Sequence, residues 1–134
     1  MTTTFANPLA VRHLDAIRAA RGEASVNAAT ADTLEALSSD DVNKRRLIPW
    51  LRDGVAVEES RVEIRTALRA IARAIQPRSN LEIGTRRCWS LAQVLAESPA
   101  VHAYAFDWWV EAYGSVENPG PDLCSTRANA NRAI

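Results

Sequence analysis

The chain has 134 residues, 47% hydrophobic and 24% charged, a composition typical of one modest globular domain. Sixteen basic residues balance sixteen acidic ones, which removes the usual electrostatic argument for a nucleic-acid partner. No apolar run approaches the roughly 20 residues that a membrane-spanning helix needs, and the first residues lack the pattern of a signal peptide. We therefore predict a cytoplasmic protein with no membrane partner.

The two cysteines, Cys88 and Cys124, form neither a CxxC pair nor a His/Cys cluster. That spacing does not suit a zinc site, so no metal is predicted. Thiols that remain reduced in the cytoplasm are the expected state.

The first part of the chain, residues 1–55, is predicted to form a helical extension. Asn7 caps its first helix and Gly22 stops it. Residues 23–29 are expected to form a loop.

Two further helices follow. A short helix is predicted to start at Thr30, and another follows the capping segment 39–41. Pro49 is expected to end that helix, because proline has no N–H and clashes with the preceding turn.

The strongest helical pattern runs over residues 57–75. An apolar stripe recurs along it at Val57, Ile64, Leu68, Ile71 and Ile75. Arginines stand beside that stripe at Arg61, Arg65, Arg69 and Arg73. They form either a docking surface for an acidic partner or a solvated flank that pairs with carboxylates of the fold, and the flank is favoured.

Pro77 closes this helix, and residues 78–80 are predicted to form a turn. A short strand over 81–83 follows, then a helix that is capped by Ser90.

Ser98 and Pro99 break that helix before a second strand over 101–106. The order strand, helix, strand over so few residues predicts a βαβ unit with parallel strands.

Gly84 and Asp107 directly follow the two predicted strands. Ligands of open α/β sheets bind at the carboxyl ends of the strands. A glycine there permits a sharp turn, and an acid on the next strand can accept bonds from two ribose hydroxyls. The glycine pattern is not G-x-G-x-x-G, which disfavours a nicotinamide dinucleotide and suits a ribose ligand without a diphosphate.

The stretches LEIGTRRCWS (81–90) and VHAYAFD (101–107) resemble class I S-adenosylmethionine-dependent methyltransferases. They are similar to the glycine motif and the acidic strand end of bacterial small-molecule O-methyltransferases. The matching positions are Glu82, Gly84, Ser90 and Asp107.

This resemblance implies a Rossmann-like methyltransferase fold that binds S-adenosylmethionine and methylates a small-molecule acceptor. The Gly84 loop would hold the methionine part of the cofactor, and Asp107 would hold the ribose. Glu82 would either help to bind the amino group or brace the loop. The cofactor-binding residues implied are Glu82, Gly84, Thr85, Arg86, Cys88, Ser90, Asp107 and Trp108.

Cys88 departs from the family, which has its second glycine at that position. The side chain either crowds the cofactor or points into the protein. A further alternative is a reactive thiol whose pKa is lowered by the helix N-terminus. Trp108 either stacks on the adenine or packs against the protein, and Trp89 is expected to pack.

The family's sheet is larger than the two strands found here, and its catalytic residues lie further along the chain. We therefore expect residues 56–134 to form only part of an S-adenosylmethionine-binding domain, with the catalytic residues unknown. Such a unit has an incomplete core, so marginal stability, a partner copy or a missing carboxy-terminal half is expected. The alternative function is a non-catalytic helical interaction or regulatory module with a vestigial nucleotide-binding unit.

Overall fold

The computed structural model describes residues 14–15, 18–19, 23–37, 42–53 and 63–107. Their elements in chain order are α1 (Ala24–Ala36), α2 (Val42–Arg52), α3 (Ile64–Ile75), β1 (Ser79–Ile83), α4 (Trp89–Glu97) and β2 (His102–Phe106). This part of the chain is a mixed α/β structure, mostly helical, with a small two-stranded sheet. The helix predicted before Gly22 lies largely outside the described residues.

The two strands pair in parallel, as the βαβ prediction required. Ser79 lies opposite His102, and Ile83 opposite Phe106. The turn predicted over 78–80 is wrong at its last two residues, because Ser79 and Asn80 belong to β1. The backbone N–H of His102 donates to the Arg78 carbonyl at 3.0 Å, which extends the ladder backwards.

Helix α1 begins at Ala24, so the loop predicted over 23–29 is wrong. Alanine is the best helix former, and the buried side chains of Val26 and Asn27 hold this turn against the fold. The hydroxyl of Thr30, expected at the helix start, donates instead to the Val26 carbonyl at 2.8 Å in mid-helix.

Helix α2 continues past Pro49 to Arg52, so the prediction that Pro49 ends it is wrong. Proline inside a helix costs about 3 kcal/mol or more. Trp50 and Leu51, which follow it, contact an apolar cluster that includes Leu34 and Trp89. Each large apolar side chain that is fully buried contributes about 1.5–3 kcal/mol to stability. This burial offsets the energetic cost of the proline.

Helix α3 begins at Ile64, because Glu63 is extended and caps it; the predicted start at Val57 lies outside the described residues. The Glu63 carboxylate accepts from the backbone N–H groups of Arg65 at 2.7 Å and Thr66 at 3.2 Å. The helix ends at Ile75, before Pro77, as predicted.

The apolar stripe predicted for α3 is buried only in part: Leu68 packs against a core cluster, but the ends of the stripe are exposed. Ile64 and Ile75 are 60% and 45% exposed. The buried positions are Thr66, Ala67, Arg69, Ala70 and Ala72. Small side chains let two helices approach closely, and α3 packs mainly on α4.

The described arginines of α3 pair within the fold, as the favoured interpretation predicted, but Arg69 is buried rather than solvated. Arg69 Nε donates to Glu97 at 2.7 Å, and its Nη1 reaches Gln93 at 2.9 Å. Arg73 Nε donates to the same Glu97 carboxylate at 2.9 Å. Arg61 lies outside the described residues.

The two faces of the sheet differ. Ala105 faces an apolar cluster that α3, α4 and Val101 share. The opposite face carries Leu81, Ile83, Tyr104 and Phe106, each more than half exposed. Parallel sheets are normally covered on both faces, and no element among the described residues covers this one. No helix among them is long and apolar enough to cross a bilayer.

Candidate functional site

The loop between β1 and α4 begins with Gly84, which has a φ of +81°. Its backbone N–H donates to the Phe106 carbonyl at 2.7 Å and so joins the loop to the end of β2. A Cβ built on Gly84 would meet no atom within 4 Å. Glycine is therefore favoured here for its backbone angle, and the space beside it is open.

Asp107 lies beside this loop. Its Oδ2 accepts a hydrogen bond from the backbone N–H of Arg86 at 2.6 Å. Gly84 and Asp107 therefore emerge side by side from neighbouring parallel strands, as the sequence predicted. The carboxylate both orders the loop and places negative charge at the strand ends.

Glu82 is partly buried in β1, two residues before Gly84. Burial raises the pKa of its carboxyl from the ordinary 4.5 to about 7. Loss of water around a carboxylate disfavours the charged form, and no cation of the described part of the chain offsets this. At neutral pH the carboxyl is therefore close to the midpoint of its titration.

Cys88 is the N-cap of α4, with a φ of +59° and a side chain only 1% exposed. That left-handed backbone favours glycine over any residue with a Cβ. Burial, then the charges of Glu82 and Asp107, raises the pKa of the Cys88 thiol to about 11. The alternative of a reactive thiol with a lowered pKa is therefore wrong, because burial and two nearby carboxylates disfavour the thiolate.

The sequence predicted Ser90 as the N-cap of α4. This prediction is wrong, because the helix already begins at Trp89. Ser90 lies in the first turn and lines a cavity of about 480 Å³. We call this space the loop cavity. Its wall consists of Asn43, Leu47, Arg65, Gly84, Thr85, Arg86, Arg87, Trp89 and Ser90.

Sequence reasoning missed five members of this wall as site residues: Asn43, Leu47, Arg65, Arg87 and Trp89. The guanidinium carbon of Arg65 lies 5.1 Å from the centroid of the Trp89 ring, and that of Arg87 lies 5.7 Å from it. Trp89 is buried and packs as expected, but its ring also contacts both guanidinium groups. Arg65 belongs to the arginine row of α3, but no local sequence signal predicts that the start of α3 lies beside the loop between β1 and α4.

Of the residues implied by the resemblance, the structure brings together Glu82, Gly84, Cys88 and Asp107 at the strand ends, with Thr85, Arg86 and Ser90 on the loop cavity. Trp108 lies outside the described residues. Within the described ranges no group of three His, Cys, Asp or Glu side chains could hold a metal ion.

Comparison of the chain with protein-family models, with curated proteins and with solved structures found no match.

Proposed function

We propose that this chain carries the cofactor-binding part of a Rossmann-like, S-adenosylmethionine-dependent methyltransferase that acts on a hydroxyl group of a small molecule. The observation that supports this most is the pairing of the two strand ends. Gly84 N bonds to Phe106 O at 2.7 Å, and Arg86 N bonds to Asp107 Oδ2 at 2.6 Å. A turn without side-chain crowding thus stands next to a carboxylate suited to a ribose.

The charges at the strand ends also support this cofactor. S-adenosylmethionine carries a sulfonium and an ammonium group, both positive. Glu82 and Asp107 are acidic, and burial has already raised the pKa of the Glu82 carboxyl to about 7. A cationic ligand would restore the favourable pairing that the buried carboxyl lacks.

The reaction proposed is a direct methyl transfer. A hydroxyl oxygen of the acceptor forms a bond to the methyl carbon, while the carbon–sulfur bond breaks and its electron pair stays on sulfur. The hydroxyl proton leaves to solvent or to a base, and S-adenosylhomocysteine is released. The protein contributes mainly by positioning the two reactants. We assign no catalytic residue.

The alternative, a helical interaction module, has less support. It drew on the arginine row of α3, and Arg65, Arg69 and Arg73 all pair with carboxylates of this chain. A nicotinamide dinucleotide is disfavoured by the single glycine of the loop.

Calorimetric titration with S-adenosylmethionine, S-adenosylhomocysteine and NAD tests the proposal. We expect both adenosyl ligands to bind and NAD not to bind. Asp107→Asn should weaken S-adenosylhomocysteine about tenfold or more, because an amide cannot accept from two hydroxyls as a carboxylate does. Asp53→Asn, at an exposed carboxylate after α2, is the matched control. Tighter binding of NAD, or no adenosyl binding, overturns the proposal.

A further inference from the structure

We propose that the loop cavity binds the carboxylate or phosphate group of a second small molecule, distinct from the adenosyl cofactor. Its identification as the methyl acceptor rests on the proposed function, whereas the anion site itself does not. At about 480 Å³, the cavity is in the size range of small-molecule sites.

The first support is a set of buried donors without partners. Arg65 Nε, Thr85 Oγ1 and Trp89 Nε1 are closed to solvent and have no hydrogen-bond partner within the described part of the chain. All three residues line the loop cavity. Thr85 and Trp89 are only 3% and 6% exposed.

Buried polar atoms are nearly always paired, and an unpaired one costs stability. The two nitrogens can only donate, and the hydroxyl can donate as well. The group that completes them must therefore be rich in acceptors. Thr85 and Arg65 would turn toward this group when it enters the cavity.

The second support is charge. Arg65 and Arg87 both lie within 6 Å of the Trp89 ring, and Arg86 belongs to the same wall. No acidic residue of the described chain lines the cavity, although Glu63 pairs with Arg65 from outside it. A guanidinium matches the geometry of a carboxylate or phosphate. Three guanidinium groups on one wall therefore suit an anionic group.

The third support is the start of α4. Trp89 and Ser90 form its first turn, and both line the cavity. Cys88, the N-cap, gives this turn no side-chain hydrogen bond. The positive end of the helix dipole therefore adds to the arginines.

The loop cavity differs in charge from the strand ends. Glu82 and Asp107 do not line it. Gly84, which the proposed cofactor site also uses, does line the cavity. A cationic cofactor beside those acids and an anionic molecule beside the arginines would therefore be neighbours. S-adenosylmethionine also has a carboxylate, so an experiment must separate the two sources.

Inorganic phosphate is the probe, titrated at constant ionic strength with chloride as the reference anion and followed by phosphorus NMR. We expect phosphate to bind, and Arg65→Gln or Arg87→Gln to weaken it about tenfold. Arg78→Gln removes the same charge at the opposite end of β1 and should change the affinity less than about twofold. Equal affinity in all three variants overturns the proposal.

Thr85→Val separates a ligand role from a structural one. The unpaired buried hydroxyl does not help the fold, so the valine variant should melt no lower than the unaltered protein. It should nevertheless bind phosphate several-fold more weakly. A lower melting temperature with unchanged phosphate affinity contradicts the assignment.

The same titration is repeated with S-adenosylhomocysteine at saturation. Unchanged phosphate affinity supports a separate anionic molecule, while one-for-one competition overturns it, because the cavity would then hold the cofactor's own carboxylate. If S-adenosylhomocysteine fails to bind but phosphate still depends on Arg65 and Arg87, the anion site stands and the methyltransferase proposal falls.

Discussion

Asp107 Oδ2 lies 2.6 Å from the backbone nitrogen of Arg86, so the carboxylate that ends one strand holds the loop that follows its neighbour. The two residues are far apart in the chain, and the parallel pairing of β1 and β2 brings them together. This contact makes the shape of the loop depend on the side chain of Asp107.

Removal of this acceptor should destabilise the protein. Asp107→Ala leaves the Arg86 N–H without its charged partner and is expected to lower the free energy of unfolding by about 1.5–3 kcal/mol. Asp107→Asn keeps a carbonyl oxygen that can accept the same bond and should lose less. Urea denaturation measures both, and equal stability of the alanine variant and the unaltered protein would refute the contact's importance.

Glu82 should make stability fall as pH rises. The pKa of its carboxyl is about 7 in the folded protein, against an ordinary 4.5, so folding favours the protonated form. This contribution is complete below pH 4.5 and is lost as pH rises through about 7. The loss is on the order of 2–3 kcal/mol.

Denaturation between pH 4.5 and 8 measures this effect, and Glu82→Gln should flatten that part of the profile. Under the proposed function, S-adenosylmethionine should stabilise the protein more at pH 8 than at pH 5.5, since its cation would pair with the ionised carboxyl. A profile that is the same in the glutamine variant would contradict the assignment to Glu82.

At position 88 a glycine variant should be more stable than an alanine variant, the reverse of the usual order in helices. Its φ is +59°, where a residue with a Cβ pays about 1–2 kcal/mol relative to glycine. Both Cys88→Gly and Cys88→Ala remove the buried sulfur, but only glycine relieves the backbone. We expect the glycine variant to be the more stable by about 1 kcal/mol in chemical denaturation, and an alanine variant of higher stability would disprove this.

The Cys88 thiol should be slow to react at neutral pH. Its pKa is raised to about 11 by burial and by the charges of Glu82 and Asp107, and the thiolate is the reactive form. Alkylation followed by mass spectrometry at pH 7.5 should modify Cys88 much more slowly than in urea. Rapid modification of the folded protein would show that the thiol is accessible and ionised.

Arg69 should be essential to the packing of three helices. It is 8% exposed and donates to Glu97, Gln93, Thr33 and the Ala29 carbonyl. Arg69→Ala removes one partner of a buried network and is expected to cost about 3–5 kcal/mol. Arg73 pairs with the same carboxylate, but its side chain is 44% exposed. Arg73→Ala is therefore the control and should cost about 1 kcal/mol or less.

Acid titration offers a second check on this network. The Arg73 hydrogen bond, and then the charges of Arg69 and Arg73, hold the pKa of Glu97 below its usual 4.5 despite burial. Its stabilising effect is therefore present above pH 4.5 and is lost as pH falls through the lower folded value. Glu97→Gln should remove this loss of stability at low pH. If the variant loses stability at low pH as the unaltered protein does, another carboxylate is responsible.

Much of the strand–helix–strand unit could be predicted because its signals are local. Pro77 and the Ser98–Pro99 pair mark ends of helices, and short apolar runs lie between them. The errors came where contacts between distant residues outweighed local preference. Pro49 stays inside α2 because Trp50 and Leu51 reach an apolar cluster beyond it.

The faces of α3 show the same limit. Periodicity selected the isoleucines, but the structure buries the alanines with Arg69, because α4 approaches closely and offers Glu97 and Gln93 as partners. Side-chain pairing across nearly thirty residues leaves no trace in a helical wheel.

The sequence by itself determined that Gly84 and Asp107 follow neighbouring parallel strands, since strand length, turn residues and the order of elements are local properties of the chain. Only the tertiary structure decided the raised pKa of Glu82, the left-handed backbone at Cys88, and the meeting of Arg65 and Arg87 at Trp89. Desolvation and the convergence of charges depend on which distant elements pack together.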